Sequence, residues 1–132
     1  MPNIDWKGRW RNEYGSRLTI TDDSGGRLQG AFETSLPDSV FAGKEVPILG
    51  LHQGPCAQFA FIAPGDTPAI CSFTGLIREG RLHTAWHLVS DQAVKPPRPG
   101  APPDLVTLPW AHAVQTNSDT FTREREAIAD SD

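Results

Sequence analysis

The chain has 132 residues, the length of one domain, and its 38% hydrophobic content supplies a single modest core. Lys+Arg 12 against Asp+Glu 16 leave a net charge of −4, which argues against a nucleic-acid partner and its basic face. No apolar run nears the roughly 20 residues of a membrane helix, and Gly 12 with Pro 12 disfavours long helices.

Period-2 alternation dominates the chain. In Lys7 to Tyr14, Gly8, Trp10, Asn12 and Tyr14 face one way and Lys7, Arg9, Arg11 and Glu13 the other, so the first set reads as interior. After Gly15, Ser16, Leu18 and Ile20 alternate with Arg17, Thr19 and Thr21 in a second strand. Asp22 to Gly26 is a turn, because glycine supplies the positive φ of hairpins. A third strand turns Leu28, Gly30, Phe32 and Thr34 inward, residues 35–45 form a loop, and Val46 to His52 make a fourth strand. Ala57, Phe59 and Phe61 open a fifth. Pro64 to Pro68 turns the chain into a sixth, Ala69 to Arg78, and Glu79-Gly80 is a two-residue hairpin. The seventh strand sets Leu82, Thr84, Trp86 and Leu88 on one side and His83, Ala85, His87 and Val89 on the other. The proline-rich stretch Lys95 to Pro103 reads as an extended loop, or as a linker that keeps two strands apart, since proline removes donors and fixes φ. An eighth strand runs from about His112 to Arg123. The expected organisation is one domain over 1–123 and a polar tail over 124–132.

Eight short strands in hairpin order, with no helix to cover a sheet, imply an all-β fold: an eight-stranded antiparallel up-and-down β-barrel. Such a barrel is filled by side chains or holds one small ligand. Its interior would contain Asn12, Ser16, Thr34 and Asp119. Each buried polar group without a partner costs about 1–3 kcal/mol, so these four satisfy one another or receive a ligand. An inward Asp with no inward cation nearby in sequence favours the ligand. Enzyme chemistry has little support: no Ser/His/Asp or Cys/His pairing shares a face, inward carboxylates are not paired, and there is no phosphate loop.

Gly8-Arg9-Trp10-Arg11-Asn12-Glu13-Tyr14-Gly15-Ser16 resembles the opening of the avidin/streptavidin family, Gly-x-Trp-x-Asn-x-x-Gly-Ser. Gly30 to Thr34 is similar to the family's third strand, Thr84 to Leu88 to its seventh, and Asp119-Thr120-Phe121 to its last. The four motifs stand in the family's order across residues 8–123. The resemblance implies a pocket for biotin at the open end of the barrel. Carried over by position, Asn12 and Ser16 would meet the ureido oxygen. Asp119 and Thr34 would accept from the ureido N–H groups, with Trp86 and Leu88 as pocket wall. Tyr14, Leu36 and Asp38 fall at further ligand-side positions of the same pattern. Biotin would be a ligand, with no cofactor, metal or catalysis.

Departures from the pattern weaken the expected binding. The third-strand tyrosine is Phe32, and two tryptophans are replaced by Phe61 and Phe73. Cys71 takes the place of a threonine near the thioether, and Ala69 that of a carboxylate-binding serine. In the loop after Thr34, Pro37 donates no N–H and Asp38 would repel a carboxylate. Trp110, one residue out of register, is the candidate for the tryptophan that tetrameric members lend to a neighbouring subunit. Losing two or three hydrogen bonds amounts to about 10²–10⁵-fold in affinity.

His83, Ala85, His87 and Val89 form an outward strip too apolar for a solvent face, which implies a homodimer or homotetramer, the dimer favoured. Metal binding there is poor, because i and i+4 on a strand lie about 13 Å apart. For Trp10, packing at the barrel floor is the better reading. Cys56 and Cys71 lie on adjacent strands and a disulfide is evenly balanced against free thiols. The resemblance implies a secreted or periplasmic protein, although Met1 to Asp5 carries no leader pattern. The runner-up is a lipocalin-like carrier of another small apolar ligand, caged by the extra phenylalanines. A third reading, a barrel that only displays loops to a partner, has no motif behind it.

Overall fold

Alternating inward and outward side chains close the chain on itself. The computed structural model describes residues 4–34, 44–65, 67–95, 99–100 and 104–124. Its strands are β1 (Gly8–Asn12), β2 (Arg17–Asp22), β3 (Arg27–Glu33), β4 (Glu45–Gln53), β5 (Cys56–Ile62), β6 (Ala69–Arg78), β7 (Arg81–Ser90), β8 (Gln92–Lys95), β9 (Asp104–Thr107) and β10 (Val114–Arg123), with a one-turn helix α1 (Trp110–Ala113). Eight of them form a closed antiparallel barrel in the order β1-β10-β7-β6-β5-β4-β3-β2, and β8 and β9 form a separate two-stranded sheet. The expected barrel is therefore present.

One end of the barrel is plugged. Trp6 and Trp10 are fully buried there, Trp10 Nε1 donates to the Trp6 carbonyl at 3.1 Å, and the Arg123 guanidinium lies 4.3 Å over the Trp10 ring. Arg123 also donates to the carbonyls of Lys7 and Asp5, fastening β10 to the segment before β1. Trp10 is thus floor packing, as expected. The opposite end gathers the C-terminus of β1, the N-terminus of β2, the ends of β3, β5 and β7, and the starts of β4, β6 and β10.

The barrel's narrowness rests on inward glycines. A Cβ on Gly30, Gly50 or Gly75 would lie 1.9, 1.9 or 2.0 Å from the carbonyl oxygen of Thr19, Gln58 or His83. Only a residue without a side chain lets neighbouring backbones approach so closely. The Glu79-Gly80 hairpin forms as expected, both residues with positive φ (53° and 75°), the requirement of a tight type I′ turn.

Three expectations need correction, and the balance left open at the two cysteines is resolved. The first strand stops at Asn12, not Tyr14, because the Asn12 side-chain oxygen accepts the N–H groups of both Tyr14 and Ser16. These bonds, with Gly15 at φ 84°, curl the chain into a turn and leave Tyr14 54% exposed rather than inward. The stretch between β7 and the last strand is not only loop: β8 and β9 form a two-stranded ribbon on either side of the prolines. The last strand begins at Val114, since residues 110–113 form α1. Cys56 and Cys71 are free thiols. Cys56 stands opposite Leu76 and Cys71 opposite Phe61, so five residues of strand, about 17 Å, separate them. Leu36, Asp38 and the tail from residue 125 lie outside the described residues.

Candidate functional site

The site follows from strand register at the open end. Residues directly opposite across a pair share a face, so the inner wall of β6, β7 and β10 is built in layers. Deepest is Gly75, Thr84 and Asp119; above it come Phe73, Trp86 and Asn117; then Cys71, Leu88 and Gln115. Phe59 and Phe61 extend the second and third layers onto β5. Ala69 and Ser90 pair at the rim.

On the facing wall, Asn12, Ser16 and Thr34 are buried, as is Asp119. Asn12 Nδ2 donates to Asp119 Oδ2 at 3.0 Å, and Asn12 Oδ1 accepts Ser16 N–H at 2.8 Å. One amide side chain thereby fixes both the carboxylate and the start of β2. Ser16 Oγ lies 3.4 Å from Thr34 Oγ1, so two hydroxyls that can donate or accept stand together. Thr84 Oγ1 donates to the Asp119 carbonyl at 2.8 Å, holding that stretch of β10 from the β7 side. Glu13 completes the anchoring from outside, its carboxylate accepting the Thr120 N–H at 3.1 Å.

Electrostatically the pocket is a single carboxylate in an apolar cup. Burial pushes the Asp119 carboxyl above the usual carboxylate range; the nearby Trp86 indole N–H and the Asn12 hydrogen bond oppose this, and the Glu13 charge adds to it. The Trp86 indole N–H leans toward this carboxylate without reaching hydrogen-bond geometry, so Nε1 is a buried donor with room for a better acceptor. Cys71 faces inward, and burial, reinforced by the Asp119 charge, pushes its thiol up to about 12. It is a neutral thiol that packs as a small hydrophobe.

The opposing surface is aromatic. Phe32 stacks on Phe61 at 5.0 Å, Phe59 on Phe73 at 4.7 Å, and Trp86 stands 6.3 Å from Phe73. An array of donors and acceptors on one side, against aromatic faces on the other, suits a flat polar head attached to an apolar body.

A model of the avidin family matches residues 2–97. The chain belongs to the avidin family. None of the curated proteins matches the sequence. Among solved structures, the barrel resembles the bradavidin2–biotin complex with a TM-score of 0.67 at 20% identity, covering 92% of this chain and 100% of that one. It resembles the rhizavidin–biotin complex at 0.69 and 19% identity, covering 93% and 95%. Apo shwanavidin gives 0.72 at 18% identity, covering 94% and 100%. At such identities these structures share the avidin fold with this chain.

Of the residues that the resemblance singled out, the structure brings Asn12, Ser16, Phe32, Thr34, Phe61, Cys71, Phe73, Trp86, Leu88 and Asp119 to the inner face, with Ala69 at the rim. Tyr14 lies in the exposed turn. Trp110 begins α1 and is 76% exposed, outside the barrel's inner face. Gln115 and Asn117, absent from the family pattern as carried over, also reach the inner face. Counting back by twos from Asp119 would have found them.

Proposed function

We propose that this avidin-family barrel is a non-catalytic binding protein for biotin. The observation that carries the reading is the buried Asn12–Asp119 pair set beside the Ser16 and Thr34 hydroxyls, facing an aromatic wall. A cyclic urea needs donors at its oxygen and acceptors at its two nitrogens. The second Nδ2 proton of Asn12 and the Ser16 hydroxyl supply the former; Asp119 and Thr34 supply the latter. Asp119 draws density through the ureido group toward the oxygen, which strengthens the bonds at the far side. Phe61, Phe73, Trp86 and Leu88 then keep these bonds dry, and Cys71 borders the sulfur-containing ring. Two neighbours of the same fold were solved as biotin complexes, which supports the assignment. With Phe32 lacking a hydroxyl and Ala69 lacking a donor, the affinity sits below that of members with a complete set.

Isothermal titration with biotin tests this directly. One site per chain is expected. Absence of heat and of any thermal shift at millimolar biotin would discard it and favour the lipocalin-like carrier of an apolar ligand.

The protein works as a homo-oligomer in this reading, and a dimer is favoured. Beyond the β7 strip, Leu49 is 68%, Ile62 74% and Ile70 52% exposed. The register places these side chains together on the outer faces of β4, β5 and β6. Ile70 in turn stands opposite Val89 of β7. An apolar sheet face of this extent marks a contact surface, and a second copy supplies a matching one. Exposed Trp110 is available to such a neighbour's mouth.

A further inference from the structure

We infer that Gln115 and Asn117 make the mouth selective for biotin joined through its carboxyl as an amide, over biotin as the free acid. The inference rests on the biotin reading above and refines it.

Both residues occupy inner-face register positions of β10, opposite Leu88 and Trp86 of β7, and both are exposed. With a rise of about 3.4 Å per residue, Asn117 stands about 7 Å and Gln115 about 14 Å along β10 from Asp119. A ureido head seated at Asp119 sends its valeryl arm toward this interval, so the end of the arm meets two carboxamides. Asn117 Oδ1 accepts the Ser118 N–H at 2.8 Å, which occupies its acceptor and leaves Nδ2 as the group able to donate to a carbonyl oxygen. Gln115 adds both a donor and an acceptor, and an amide N–H can use the acceptor where a carboxylate cannot.

Charge points the same way. Among the described residues, no Lys or Arg occupies an inner-face strand position in the mouth half of the barrel; the inward Arg123 is engaged at the plugged end. Asp119 already places a carboxylate at the base of this pocket. A second one, partly desolvated above it, is opposed by that charge, and Ala69 at the rim has no hydroxyl to offer it. Lys44 precedes β4, on the opposite side of the barrel from β10.

Calorimetric competition on the full chain tests this with biotin, biotin N-methylamide, ε-biotinyl-lysine and a short peptide carrying biotinyl-lysine. The amides should bind about five- to tenfold more tightly than biotin. In Gln115→Leu and Asn117→Leu the ratio of amide to free-acid affinity should fall toward one. Gln115 is solvent-exposed, so its variant keeps the test valid if the other fails to fold. Tight binding of ε-biotinyl-lysine alone would support the preference with a free conjugate as its source; equal binding of the peptide would support it with a protein-bound lysine. Biotin binding more tightly than its amides, or an unchanged ratio in both variants, overturns the inference. A loss of free-acid affinity in Lys44→Ala alongside tighter acid binding would assign the tail to Lys44 instead. Failure of every ligand to bind would remove the biotin reading itself, and this refinement with it.

Discussion

Asn12 Nδ2 reaches Asp119 Oδ2 at 3.0 Å across 107 positions of sequence, and the same side chain accepts two N–H groups through its oxygen. The pair therefore ties β1, the turn after it and β10 together, and in the proposed biotin reading it also meets the ligand. Asp119→Ala should lower biotin affinity by about 10- to 100-fold, the range of a charge-assisted hydrogen bond. Thr34→Ala should cost less, about two- to tenfold. Titration of both variants checks the order; equal affinity in Asp119→Ala would place the ligand elsewhere.

The raised Asp119 carboxyl makes binding pH-dependent. Above 3.8, its ordinary value, the native chain holds more proton at this group than the unfolded chain does. Its contribution to stability is thus present at low pH and lost as pH rises through the raised value. The ionised form is the one that accepts a ureido N–H, so affinity should rise over the same window and binding should release a proton. Calorimetry in two buffers of different ionisation enthalpy, at a pH inside that window, should show the proton uptake by buffer. Identical heats would contradict the role given to Asp119.

Phe32→Tyr should tighten biotin binding by about tenfold by restoring a donor near the Ser16 and Thr34 hydroxyls. The ring already lies flat on Phe61 at 5.0 Å, so the added hydroxyl, lying in the ring plane, leaves that stack intact. A fall in affinity would show that the hydroxyl crowds the pocket rather than meeting the ureido oxygen.

The outer apolar face predicts self-association at micromolar concentration. Leu49→Glu with Ile62→Glu should shift sedimentation to the single-chain mass while leaving the thermal melt of the barrel nearly unchanged, since both side chains are exposed. A wild-type monomer under the same conditions would remove the claim.

Gly50→Ala should destabilise the barrel by about 2 kcal/mol or more. Its new Cβ would sit 1.9 Å from the Gln58 carbonyl oxygen, and that oxygen belongs to backbone in a paired strand. A melting temperature equal to wild type would show that β4 and β5 can part at this point without cost.

Much of this was legible in the residues, because a barrel strand writes its two faces into alternate positions. Ser16, Leu18, Phe32, Cys71, Phe73, Trp86 and Asp119 all sit on the side that alternation assigns. What alternation hides is polar backbone supplied by a side chain: Asn12 ends β1 with its own amide, so Tyr14 leaves the pattern. The β8–β9 ribbon was obscured by the prolines between its strands, which signal extended chain without saying what flanks it. Leu49, Ile62 and Ile70 break the inward-apolar rule: they are large apolar side chains on the outer face, which alternation alone does not assign.

β1 meets β10 through only three register pairs, Trp10 to Asn12, whereas β10 and β7 share nine, Val114 to Thr122. That short seam joins the chain positions most distant in sequence, the kind of contact that forms late in folding. Asn12 and Ser16 belong to its near side and Asp119 to its far side. A molecule bound between them acts as a clasp across the closing joint. Its departure and the opening of the seam then become linked events, and occupied barrels should exchange the amide hydrogen of Arg11, which faces β10, far more slowly than empty ones.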